Sequence, residues 1–197
     1  MPDLPAADRG ACQVAYVDES ESRQDLDPGA YILCASIMAT TNARLVARKM
    51  RGLLAPGRVK VHWHDAKTRG ERGRIVQVVA GLPASHLVVA GVFGSGVRVE
   101  RRRRLCMERL LAELELRSVR MVVAESRGPG DRLDRLLVDT LRAKGAVGSA
   151  VRVEHAPGPT EPLLWVADTV CGAVVQDRCG DGTYLRELGG AVQVILI

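Results

Sequence analysis

Two apolar, β-branched runs stand near the start of the chain before any helical period appears. They are CQVAYVD at 12–18 and YILCASIM at 31–38, joined by an acidic turn over 19–29. Runs of this length and composition mark buried strands. A third strand is expected at 87–93, after an inserted stretch, and from there helix and strand alternate. The clearest helix covers 98–116, with Met107, Leu110, Leu111 and Leu114 on one face. A buried strand follows at 119–125 (VRMVVAE). A helix then starts at Asp131, with Leu133, Leu136, Leu137 and Leu141 as its apolar stripe and Lys144-Gly145 as its stop signal. After a strand at 150–154, Pro162 opens a last helix reaching about Gln176. Residues 180–190 read as loop, and 192–197 could add a strand whose edge would suit a homodimer contact. Three strands able to pair antiparallel, followed by alternating helix and strand, constrain the chain to an α/β fold with a mixed sheet.

The inserted stretch, about 40–82, has its own pattern. A helix over 41–54 ends before Pro56 and Gly57. At 59–65, VKVHWHD sets Lys60, His62 and His64 against Val61 and Trp63, the alternation of a short half-buried strand. Residues 68–82 make a poorer helix, because Gly70 and Gly73 lower its propensity.

At 197 residues, 47% of them apolar and 26% charged, the chain has the makings of one domain with a packed core. Its net charge of +5 hides an uneven distribution. Residues 44–144 hold 23 basic against 10 acidic side chains, and both ends are acidic. With 24 Arg to 4 Lys, the count itself reflects GC-rich coding as much as phosphate binding. Five scattered cysteines with no C-x-x-C pair fit a reducing cytoplasm better than disulfides or a structural zinc site. Residues 1–10 have neither the basic start nor the apolar stretch of a secretory leader. The uncharged run 75–97 is broken by Gln77, Gly81, Pro83, Ser85 and His86, so no membrane span is expected. Nucleotide-binding P-loop, dinucleotide-fold and serine-hydrolase signatures are missing.

Three acids interrupt apolar runs: Asp18 in AYVDE, Glu125 in VVAES and Asp168 in WVADTV. An ionised carboxylate in such surroundings costs several kcal/mol unless it is paired or holds a cation, so three on neighbouring elements suggest a hard-cation site. On the last helix Trp165, Asp168 and Gly172 share a face, and Gly172 clears space one turn from the acid. Any one of the three could equally be a surface carboxylate or pair with an arginine.

The order of elements, with acids on the first strand, the fourth strand and the last helix, is similar to the RNase H-like fold. Ribonucleases H, Holliday-junction resolvases and retroviral-type integrases share that fold. More specifically, several segments resemble the domain-of-unknown-function thirty-eight-hundred family of uncharacterised bacterial proteins, over about residues 12–177. They are Tyr16-Val17-Asp18-Glu19-Ser20, Lys60-Val61-His62-Trp63 before a helix with Arg72 and Arg74, Val122-Val123-Ala124-Glu125-Ser126-Arg127, and Ala167-Asp168. Glu21 stands where that family usually has Gly, and Trp165 near its usual Gln.

The resemblance implies one RNase H-like domain over 1–197, with a mixed sheet, helices on both faces and a helical insertion after the second strand. It also implies an Mg²⁺ or Mn²⁺ site of Asp18, Glu125 and Asp168, with Glu19 beside it and Asp18 as the bridging ligand. Two ions about 3.5 to 4 Å apart would serve phosphodiester cleavage in a nuclease or related phosphoryl-transfer enzyme. The alternative is a non-catalytic nucleic-acid or protein-binding module on the same fold. Lys60, His62, Arg127, Arg101 and Arg104 are the expected substrate contacts. With only six aromatics, backbone contacts to a duplex or structured nucleic acid fit better than base stacking.

Overall fold

The structure is a computed structural model describing residues 12–197; the reading of residues 1–10 lies outside them. β1 (Gln13–Glu21), β2 (Ala30–Ala39) and β3 (Ser85–Val92) form an antiparallel meander. β4 (Met121–Glu125) adds parallel to β1, β5 (Arg152–Ala156) parallel to β4, and β6 (Val192–Leu196) parallel to β3. The six strands run in the order β5-β4-β1-β2-β3-β6, a mixed sheet as expected. β6 confirms the expected final strand and closes the sheet at one edge.

Two apolar cores sandwich the sheet. One lies under α3 (Val99–Leu116) and α4 (Asp131–Ala143). The other lies under α1 (Ala43–Arg51), α2 (Arg69–Ala80), α5 (Leu164–Arg178) and α6 (Thr183–Leu188). β2 is buried along almost its whole length because both faces are covered, which is why it reads as a continuous apolar run. In β1 the side chains alternate, Ala15 and Val17 entering the α3–α4 core and Tyr16 packing on the α5 core. α5 is apolar almost all round and lies across the sheet, so Asp168 is carried into the interior rather than onto a wet face. The uncharged run 75–97 is the tail of α2, a turn and β3. No helix among the described residues is long and apolar enough to cross a membrane.

Local structure departs from the sequence pattern in three places. The 59–65 segment is not a strand but an extended stretch closing in a 3-10 turn, Trp63–Asp65. Its alternation is satisfied all the same, since Val61 and Trp63 enter the α5 core, but no strand among the described residues lies beside it to pair with. The stripe of α4 is rotated from the expected one. Leu133 and Leu136 are exposed, while Asp131 and Asp134 are buried with Leu137, Val138 and Leu141, because buried Arg103 holds Asp134 and the Ser126 hydroxyl holds Asp131. The expected loop at 180–190 contains α6, a turn and a half too short for its period to stand out, anchored by buried Tyr184 and Leu188. α2 forms despite its two glycines because Thr68 and Glu71 make a reciprocal capping box. Cys34, Cys106 and Cys171 are buried as free thiols in the core, whereas Cys12 is exposed and Cys179 only partly buried.

Candidate functional site

β1 and β4 bring the first two acids together. Their parallel register pairs Val17 with Ala124, both facing the α3–α4 core, so the next residues, Asp18 and Glu125, project side by side toward α5. Asp168 meets them from the first half of α5. The Asp18 carboxyl accepts a 2.8 Å hydrogen bond from the Glu19 backbone N–H. Its pKa lies well above the ordinary carboxylate range. Burial is the largest cause, followed by the negative charges of Asp168 and Glu125, with Lys60 pulling the other way. Glycine at position 158 leaves room for this arrangement, since a Cβ there would sit 2.0 Å from Glu125 Oε1. Trp165, near the position where a Gln was expected, holds that backbone by donating from Nε1 to the Gly158 carbonyl at 2.7 Å.

The insertion reaches over the same acids. Lys60 Nζ lies 3.0 Å from Glu125 Oε1, and His62 Nδ1 lies 2.8 Å from Asp168 Oδ1. The Trp63 backbone N–H donates to Asp168 Oδ2 at 2.7 Å. Burial opposes the Lys60 charge, but its hydrogen bond to Glu125 and the surrounding carboxylates leave its pKa raised. His62 is raised chiefly by its bond to Asp168, against the opposing effect of burial. The space beside Asp168 that Gly172 opens is filled by Trp63. A Cβ at Gly172 would meet the indole at 2.1 Å. Trp63 is held further by an edge contact with Tyr184 and by Arg72 5.2 Å over its ring. His64 is exposed and meets His62 edge-on, while Asp65 pairs with Arg58. A cavity of about 680 Å³ opens here, with His62, Trp63, Asp168 and Gln176 among its walls.

Two expected site residues are committed elsewhere. Glu19 projects to the opposite face from Asp18, where its carboxylate pairs with buried Arg103, so it is not a free ligand beside the other acids. Arg127, expected to clamp phosphate, is held by Glu100 at 2.7 Å and Asp134 at 3.3 Å. Both belong to a buried network that sequence reading missed. Arg103 also grips Asp134 at 2.8 Å, His155 Nε2 lies 3.0 Å from Asp134, and Ser126 donates to Asp131. Nothing in a run of four arginines singles out Arg103, which carries this network, from Arg102, which is also buried. Arg101 and Arg104 are exposed and line a separate groove between α3 and α4 with Leu133 and Leu136, sharing no residue with the carboxylate site.

Among the described residues, no three His, Cys, Asp or Glu side chains stand as a ready-made metal cage. Two of the acids each have an oxygen taken by Lys60 or His62.

A mixed six-stranded sheet with helices on both faces, and acids where β1, β4 and α5 meet, defines an RNase H-like fold. Solved structures agree. The chain is similar to an RNase HII from Archaeoglobus fulgidus, solved in complex with PCNA, at a TM-score of 0.56 and 12% identity, covering 84% of this chain and 74% of that one. It is similar to ribonuclease H2 from Pyrococcus horikoshii at 0.55 and 13%, covering 84% and 73%. For the Bst RNase HIII solved with Mn²⁺ the values are 0.52 and 14%, covering 86% and 53%. At these identities the likeness is one of fold. No protein-family profile matches the chain, and no curated protein matches it by sequence.

Proposed function

We propose that this protein is a divalent-metal-dependent nuclease, or a related phosphoryl-transfer enzyme acting on nucleic acid, with Asp18, Glu125 and Asp168 as its catalytic and metal-binding acids. The observation that carries the reading is the surplus of buried negative charge. Three carboxylates face one another with, among the described residues, Lys60 and His62 to offset them, and Asp18 is correspondingly hard to ionise. An all-oxygen set of this kind suits Mg²⁺ or Mn²⁺ rather than a soft metal. When bound, such an ion supplies Lewis-acid activation of a phosphodiester and stabilisation of the leaving oxygen.

The chain's own residues do the rest. The Trp63 N–H fixes one Asp168 oxygen and so orients the carboxylate. Lys60 and His62 sit at the mouth, where their charges hold the acids together and can pass to a phosphate. The Mn²⁺ in the Bst RNase HIII structure and the PCNA-bound RNase HII support this reading by fold analogy. We also infer that the chain is a divergent relative of the domain-of-unknown-function thirty-eight-hundred family, a single domain that works in the cytoplasm.

The test is hydrolysis of DNA, RNA and hybrid duplexes with Mg²⁺ or Mn²⁺, comparing the native chain with Asp18→Asn and Asp168→Asn. Loss of cleavage in both variants is expected, and equal activity in all three proteins would overturn the assignment. One observation favours a second reading, a binding module without turnover: no ready-made cage of ligands stands among the described residues. That reading predicts nucleic-acid binding with no cleavage under any metal.

A further inference from the structure

We propose that a cationic groove built by the insertion is the duplex-binding surface of this protein, and that it holds the phosphate backbone beside the carboxylates. This rests on the reading of the acids above and names where their substrate lies. The groove is formed by the segment after α1 and by α2, encloses about 360 Å³, and has Arg58, Lys60, His62 and Arg74 on its walls together with Asp65 and Glu71. It leads straight to the acids, because Lys60 is bonded to Glu125 and His62 to Asp168.

Three of its wall cations are paired, Arg58 with Asp65, Lys60 with Glu125 and His62 with Asp168, but the charge around them is in excess. Residues 44–74 hold ten basic side chains and two acidic ones. Both acids are already used, Asp65 by Arg58 and Glu71 by the cap of α2. Arg44, Arg48, Arg51 and Arg74 are exposed and make no side-chain hydrogen bond or ion pair among the described residues. Exposed, unpaired guanidinium groups repel one another and are relieved by a polyanion, whose counterions they release. The other run of arginines differs. Arg103 is spent on Glu19 and Asp134, and Arg102 donates to the Val97 carbonyl.

The partner is a duplex rather than a single strand. Single-strand surfaces use exposed aromatic faces, and none of the six aromatic side chains is exposed here. Arginines spread along a groove recognise backbone phosphates without reading bases.

The experiment titrates the full chain, in chelator, into a fluorescently labelled duplex of roughly 20 base pairs and its single strand, over a range of salt concentrations. Arg51→Gln/Arg58→Gln/Arg74→Gln is expected to weaken duplex binding about tenfold or more and to flatten the slope of log K against log salt by about 2 to 3, at roughly 0.9 per lost phosphate contact. Arg101→Gln/Arg104→Gln should bind as the native chain does. An unchanged slope in the triple variant, equal loss in the α3 variant, tighter binding of the single strand, or no binding by the native chain would each overturn the proposal. Cleavage with Mg²⁺ is read separately. Native cleavage with an unaffected triple variant removes the groove and leaves the acids standing. Groove-dependent binding without cleavage removes the nuclease reading alone.

Discussion

Replacing Asp18 with asparagine should make the metal-free protein more stable while abolishing its response to Mg²⁺. Asn keeps the size of the side chain and can still accept the Glu19 N–H bond, but it removes one of three mutually repelling carboxylates. Two like charges about 4 Å apart at an effective dielectric of 20 cost about 4 kcal/mol. Lys60 and His62 offset much of that, leaving about 1 to 2 kcal/mol to be recovered, the usual scale when a functional site is neutralised. For a chain of this length that is a rise in Tm of about 2 to 8 °C.

The effect has a direction in pH. Asp18 has a higher pKa in the fold than in the unfolded chain, so its ionisation works against folding. The penalty is absent below the ordinary aspartate range near 4 and complete once the pH has risen through Asp18's raised value. The gain from Asp18→Asn should therefore be larger at about pH 8 than at about pH 5. Mg²⁺ at about ten times its dissociation constant should then stabilise the native chain by about 1.4 kcal/mol and leave the variant unmoved. Thermal melts followed by circular dichroism, with chelator and with Mg²⁺ at both pH values, measure all of this. A variant less stable than the native chain at the higher pH, or one stabilised equally by Mg²⁺, would refute the reasoning.

Three further substitutions probe the supports of the site. Gly158→Ala should cost little stability, because the new Cβ meets only the movable end of Glu125, yet it should displace that carboxylate and lower cleavage at least tenfold, read in turnover assays beside a thermal melt. Gly172→Ala puts a methyl into the rigid Trp63 ring, an overpacking cost of about 1 to 3 kcal/mol measurable by urea unfolding. It should also release the Trp63 N–H from Asp168, visible as faster amide exchange. Arg103→Met removes the principal cation of Asp134 and Glu19, leaving Arg127 and His155 to offset part of the loss, and should destabilise the fold by about 3 kcal/mol in the same unfolding experiment, the low end of the scale for breaking a buried pair.

The strands were legible because covering both faces of a sheet demands apolar β-branched runs, as β2 shows, and α3 because its leucines repeat at the helical period. Asp18, Glu125 and Asp168 stood out as acids in apolar surroundings, a pattern that costs too much to be casual. Illegible were the contacts between distant segments. Alternation at 59–65 records only that Val61 and Trp63 are buried, not that a strand lies alongside, and among the described residues none does. The arginine that reaches the buried network, Arg103, and an acidic buried stripe on α4 depend on each other for their charge balance, and so cannot be read separately. The sequence by itself determined the layered α/β order and the identity of the acids, since burial period and the cost of a buried charge are local properties of the chain. Only the tertiary structure decided that Lys60, His62 and the Trp63 amide close over those acids, and that Glu19 and Arg127 turn away to Arg103 and Asp134. Those choices depend on which face each strand residue takes and on which opposite charge, as far as 106 residues away in sequence, the fold brings within hydrogen-bond reach.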